Sequence, residues 1–107
     1  MKAWDIFSRQ PPGWPESHPV VIISHPARVA QKPEVSLLVC TTKAATRTAE
    51  PHEVILDTSD GLNWPTLYRC DLFFMARKAE LKNKRGSVSP ERRRQIIATI
   101  MRSNGWV

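Results

Sequence analysis

The nine residues LYRCDLFFM, positions 67–75, set an arginine and an aspartate two places apart among large apolar side chains. In an extended chain every second side chain shares a face, so Arg69 and Asp71 stand with Leu67, Phe73 and Met75, roughly 7 Å from one another along the strand. That arrangement is either a local ion pair or half of an active site. A guanidinium stays charged and forks onto two oxygens of a carboxylate or a phosphate. A carboxylate beside it can take a proton or orient the arginine.

Other residue types narrow the chemistry. Cys40 and Cys70 lie in strand-like runs without Cys-x-x-Cys spacing, and His18, His25 and His52 form no ligand cluster with them. Neither a zinc site nor a disulfide is expected, no cofactor is implied, and both cysteines read as small buried hydrophobes. Sixteen Lys and Arg against ten Asp and Glu leave a net charge of +6. Much of the excess is concentrated in Arg77, Lys78, Lys82, Lys84, Arg85, Arg92, Arg93 and Arg94. Such clustering fits a polyanion, whose counterions it releases, or an acidic protein partner; the alternative is a merely solvated face.

The elements that must position these groups are short. At 107 residues the chain is read as one domain, 1–107, large enough to bury a core of its own. No apolar run approaches the roughly 20 residues of a membrane span. The opening MKAWDIF has no apolar signal core, so the cytoplasm is the expected compartment. Strands are expected over residues 3–8, 20–24, 35–41, 52–56 and 67–75, with loops over 9–19 and 25–33 and a polar connection from 42 to 51. A closing helix starts at Ser89 as N-cap with Pro90 in the first turn and stops near Gly105. Its buried stripe is expected to be Ile96, Ile97, Ile100 and Met101, with Arg92, Arg93 and Arg102 in water. This is the pattern of a strongly bent antiparallel sheet or small barrel with one helix against it.

Taken in order, HPVVIIS, LLVCTTK, HEVIL, GL, YRCD and GSVSPE followed by a basic amphipathic helix resemble the MazF/PemK/Kid family of toxin endoribonucleases over nearly the whole chain. The resemblance implies a mainly β (α+β) fold, a small SH3-like β-barrel with a C-terminal α-helix packed on the sheet. It also implies a homodimer, inhibition by a cognate acidic antitoxin, and metal-independent, sequence-selective cleavage of single-stranded RNA. On this resemblance Arg69 and Asp71 are catalytic, Arg69 also cast as general acid, and Thr41 lies beside the scissile phosphate with Thr42 as its one-residue substitute. The basic residues Arg77, Lys78, Lys82, Lys84 and Arg85 then assist RNA or antitoxin binding.

The first loop departs from the family pattern G-x-E-x-x-G-x-R-P. It reads Gly13, Trp14, Pro15, Glu16, Ser17, His18, Pro19, with histidine where arginine is expected. An imidazole can move a proton in either direction, so His18 is a catalytic candidate; it equally fits a decayed enzyme or an ordinary loop residue. Trp14 can stack on an RNA base or cover apolar surface. The rival function is a non-enzymatic binding module on the same scaffold, a gyrase inhibitor of the CcdB kind or a nucleic-acid binder.

Overall fold

The computed structural model describes residues 1–42 and 45–107, with Thr42 described by its backbone alone. Among the described residues the elements are β1 (Asp5–Arg9), β2 (His18–Ile22), α1 (Pro26–Gln31), β3 (Glu34–Thr42), β4 (Glu53–Leu56), β5 (Thr66–Arg69), β6 (Phe74–Arg77), β7 (Lys82–Ser87) and α2 (Pro90–Ser103). Short 3-10 turns lie at Thr58–Asp60 and Lys78–Glu80. The sheet runs β4-β5-β3-β2-β1-β7, with β6 also paired to β3. Every pairing is antiparallel. The fold is thus mostly β, a curled half-barrel with a C-terminal helix.

The runs VVII and SLLV are continuous in apolar character because both faces of the curled sheet are covered. Alternate residues of β2 and β3 enter two cores. Val21 and Leu38 join Ile6, Leu56, Tyr68 and Ile96 on the side of α2. Val20, Ile22, Val35 and Leu37 join Val29 and Leu81 on the side of α1. The two ends of the sheet path are joined by a turn rather than a ladder. Gly61, at φ 95, backs onto Gly86 of β7, where a side-chain Cβ on Gly86 would fall 2.9 Å from the Gly61 Cα. That approach requires glycine.

Several sequence expectations are revised. The loop over 25–33 contains α1, capped by the His25 ring, which accepts from Ala27 N at 3.0 Å, with Pro26 beginning the helix. The basic segment after residue 77 contains β7, which pairs with the edge of β1. The first strand is Asp5–Arg9 rather than 3–8. In α2 the caps are as expected, Ser89 accepting from Arg92 N, but Ile97 is exposed and Thr99 is buried in its place. Arg92 and Arg93 are not free in water. Arg92 donates to Ile55 O and to Asp57 Oδ2, and Arg93 donates to Val88 O at 2.8 Å. Helix α2 is thereby fastened to the sheet by Arg92 as well as by Ile96.

Candidate active site

The expected strand over 67–75 is two strands. β3 is nine residues long, and β6 pairs with its first half while β5 pairs with its second. Between them the chain leaves the ladder at Cys70–Phe73. The departure is held from two sides: Cys70 N donates to His52 O at 2.8 Å, and Asn104 Nδ2, at the end of α2, donates to Cys70 O at 3.1 Å. Asp71 therefore turns back onto Arg69 instead of standing a full pleat away. Arg69 Nε donates to Asp71 Oδ1 at 3.0 Å and a terminal nitrogen donates to Oδ2 at 3.1 Å. Both side chains remain about one-third exposed. The fork holds the Asp71 carboxyl below its usual range and pushes the Arg69 guanidinium further up.

A second polar cluster meets this pair through β4. Glu53 of β4 is the cross-strand partner of Arg69, and its side chain is only 1% exposed. Four donors satisfy its carboxylate. Arg47 reaches Oε1 at 2.7 Å and Oε2 at 2.9 Å, Glu50 N reaches Oε1 at 2.9 Å, and the Thr41 hydroxyl reaches Oε2. The Arg47 guanidinium is the main reason that the Glu53 carboxyl is held down to about 2. At neutral pH Glu53 is ionised and can only accept, so the single proton of the Thr41 hydroxyl points at it. Thr41 is nonetheless exposed. The expected Thr41, on β3, is linked to the Arg69–Asp71 pair through Glu53 of β4, which accepts from Thr41 and is the cross-strand partner of Arg69. The Thr42 side chain lies outside the described residues.

Arg47 and Glu53 were missed by sequence reasoning. Arg47 sits in a stretch that reads as polar connection, and Glu53 follows a histidine at a strand start. The one available signal was a carboxylate among the apolar residues of HEVIL, where burial demands a partner.

His18 opens β2 on the other edge of β3. Its Nδ1 lies 3.8 Å from Cys40 Sγ, and Trp14 meets its ring edge-on at a centroid distance of 5.2 Å. Arg9, Pro11, Val20, Val39 and Phe74 complete a cavity of about 250 Å³ around them. His18 and Trp14 thus form a neighbouring pocket, reached across β3 from Thr41.

The expected RNA-binding basic residues lie on β7, at the end of β6 and in the 3-10 turn after it. β7, with Lys82, Lys84 and Arg85, is four places along the sheet path from β5. Lys84 lies 3.4 Å from the buried Asp5, and Lys78 Nζ donates to Val29 O at 2.7 Å. Arg85 donates to Ser8 Oγ at 3.4 Å, while Arg77 and Lys82 are exposed. Both cysteines are free, and burial pushes the Cys70 thiol up to about 12, which removes it from nucleophilic chemistry. No group of three or more His, Cys, Asp or Glu among the described residues is placed to hold a metal ion. No helix of the described residues is long and apolar enough to cross a membrane.

Residues 7–103 match the family described as PemK-like, MazF-like toxin of type II toxin-antitoxin system. No curated protein sequence matches the chain. Among solved structures, the fold is similar to an endoribonuclease in complex with its cognate antitoxin from a mycobacterial species, with a TM-score of 0.84 at 22% identity over 100% of this chain and 97% of that one. It is similar to the Mycobacterium tuberculosis toxin MazF-mt6, with a TM-score of 0.76 at 21% identity over 92% of this chain and 94% of that one. A MazE-MazF structure from Deinococcus radiodurans gives 0.74 at 12% identity, over 95% and 92% of the two chains.

Proposed function

We propose that this chain, which belongs to the PemK-like, MazF-like toxin family of type II toxin–antitoxin systems, is an endoribonuclease that cuts single-stranded RNA without a metal ion. The observation that carries the reading is the partly exposed Arg69–Asp71 fork, linked to Thr41 through Glu53. Cleavage by the RNA's own 2′-hydroxyl needs a base for that hydroxyl, an acid for the departing 5′-oxygen, and positive charge where the phosphorane forms. Arg69 supplies the charge. Asp71 keeps it protonated, so it acts as a cation rather than as a proton donor. Asp71, with both oxygens on Arg69, orients it. Proton transfer falls to His18, and Trp14 beside it offers an edge of the pocket for an RNA base.

Purified protein is expected to cut single-stranded RNA in EDTA and to spare duplex RNA. Cleavage abolished by chelation and restored by magnesium would overturn the metal-free mechanism. His18 has its own test. If it moves a proton, His18→Gln removes most of the rate together with one limb of the pH profile, whereas a phosphate-binding role predicts that His18→Arg preserves cleavage. Identical rates and profiles for all three proteins would take His18 out of the chemistry. An inactive wild type revived by His18→Arg would identify a decayed toxin.

The surface supports two partners. The net charge of +6 suits an acidic antitoxin. Leu72, Phe73, Phe74 and Met75 form a run 39–59% exposed along the departure from the ladder, an apolar surface suited to the partner subunit of a homodimer. The cytoplasm, where mRNA is found, is the matching compartment.

A further inference from the structure

The Thr41 hydroxyl and the Arg47 guanidinium converge on one carboxylate, that of Glu53, whose side chain is 1% exposed. We infer that Glu53 is the positioning residue of the site: its buried carboxylate fixes the Thr41 hydroxyl and the Arg47 guanidinium beside Arg69, and so decides that Thr41 meets the RNA as a hydrogen-bond acceptor. The inference rests on the ribonuclease reading and deepens it.

The geometry runs as a chain of constraints. Glu53 cannot move, because it is 6% exposed as a residue and its backbone is laddered to Arg69. Its Oε2 accepts both from Thr41 and from Arg47. Its Oε1 accepts from Arg47 and from Glu50 N. A threonine hydroxyl has one proton and two acceptor sites. With that proton on Glu53, the hydroxyl oxygen of Thr41, an exposed residue, offers only lone pairs, which suits it to receive a hydrogen bond from the attacking 2′-hydroxyl and leaves the phosphate oxygens to the guanidinium groups. Arg47 is the second such group. Its side chain is 43% exposed, and the fork to Glu53 holds it in one place at the edge of the site. Held there, Arg47 gives the site a second fixed cation on a chain whose first loop carries His18 where the family pattern has arginine.

The test is a cycle of variants measured by steady-state cleavage of a single-stranded RNA. Glu53→Gln converts one carboxylate oxygen into a donor and lets the Thr41 hydroxyl reverse. Thr41→Val removes the hydroxyl altogether. Expected is a fall in kcat of about 10- to 100-fold for Glu53→Gln with KM changed less than about threefold, the pattern of lost orientation rather than lost binding. Thr41→Val combined with Glu53→Gln is expected to be no slower than the slower single variant, because the Thr41 hydroxyl contributes only as Glu53 orients it. Thermal melts separate this from instability, and Glu53→Asp, which keeps the charge but falls short of Thr41, carries the same cycle if Glu53→Gln does not fold. An unchanged kcat, or losses that multiply in the double variant, would overturn the inference while leaving the nuclease reading standing. A wild type that cuts no RNA overturns both.

Discussion

Arg69→Ala is expected to slow RNA cleavage by about 10²- to 10³-fold, the usual loss for one preorganised donor to a developing oxyanion. The fold should survive. Arg69 is at the end of β5 with its side chain one-third exposed, and its ion pair with Asp71 spans only two residues of chain, so its removal disconnects no elements. Arg69→Lys should restore little, since an ammonium provides one charge without the fork that fits both phosphate oxygens and both oxygens of Asp71. The loss should appear in kcat more than in KM, because the guanidinium gains most when the phosphorane carries its extra charge. The measurement is single-turnover cleavage by wild type, Arg69→Ala and Arg69→Lys, each checked for fold by circular dichroism. A folded Arg69→Ala protein that cuts at the wild-type rate would reduce the Arg69–Asp71 pair to a structural contact.

Acid should destabilise the protein through Glu53 before it disrupts the cores. The folded state holds this carboxyl at about 2 against an ordinary value of 4.5. A group depressed in this way contributes stability that is fully present above 4.5 and is lost as pH falls towards 2. The difference corresponds to about 3 kcal/mol, a sizeable share of the stability of a small domain. Protonation removes the Arg47 fork and leaves Thr41 facing a neutral acid. Asp5, Asp57 and Asp71 are depressed in the same direction, so they add to the slope. Urea unfolding at about pH 7, 4 and 2.5 should show a falling midpoint for wild type. Glu53→Gln should start lower at neutral pH and fall less. Equal pH slopes for wild type and variant would show that Glu53 carries no such linkage.

Legibility divided along a physical line. Properties that depend on local pattern were readable: the continuous, β-branched runs of β2 and β3, the Ser89 and Pro90 start of α2, and the burial of Cys70. Each is decided by a few consecutive residues, through side-chain periodicity or capping. The short helix α1 carried its signal in His25 and Pro26, but at six residues it is too brief for apolar periodicity to show. Ile97 belonged to the apolar stripe by spacing, yet the sheet meets α2 along Ile96 and Thr99, and the direction of that contact is not written in the helix.

What tertiary structure alone decided is the site itself. LYRCDLFFM has the composition of one strand, and only the length and curl of β3, which pairs with both β5 and β6, force the chain out of register at Cys70 and fold Asp71 back onto Arg69. Glu53 is an unremarkable acidic residue until Arg47, Thr41 and Glu50 close around it from other parts of the chain. A buried charge is tolerable only when its partners arrive, and those partners lie as far as 12 positions away in sequence. Sequence determined which groups were available and the period with which they repeat; pairing between distant segments determined which of them share a carboxylate and which proton points where.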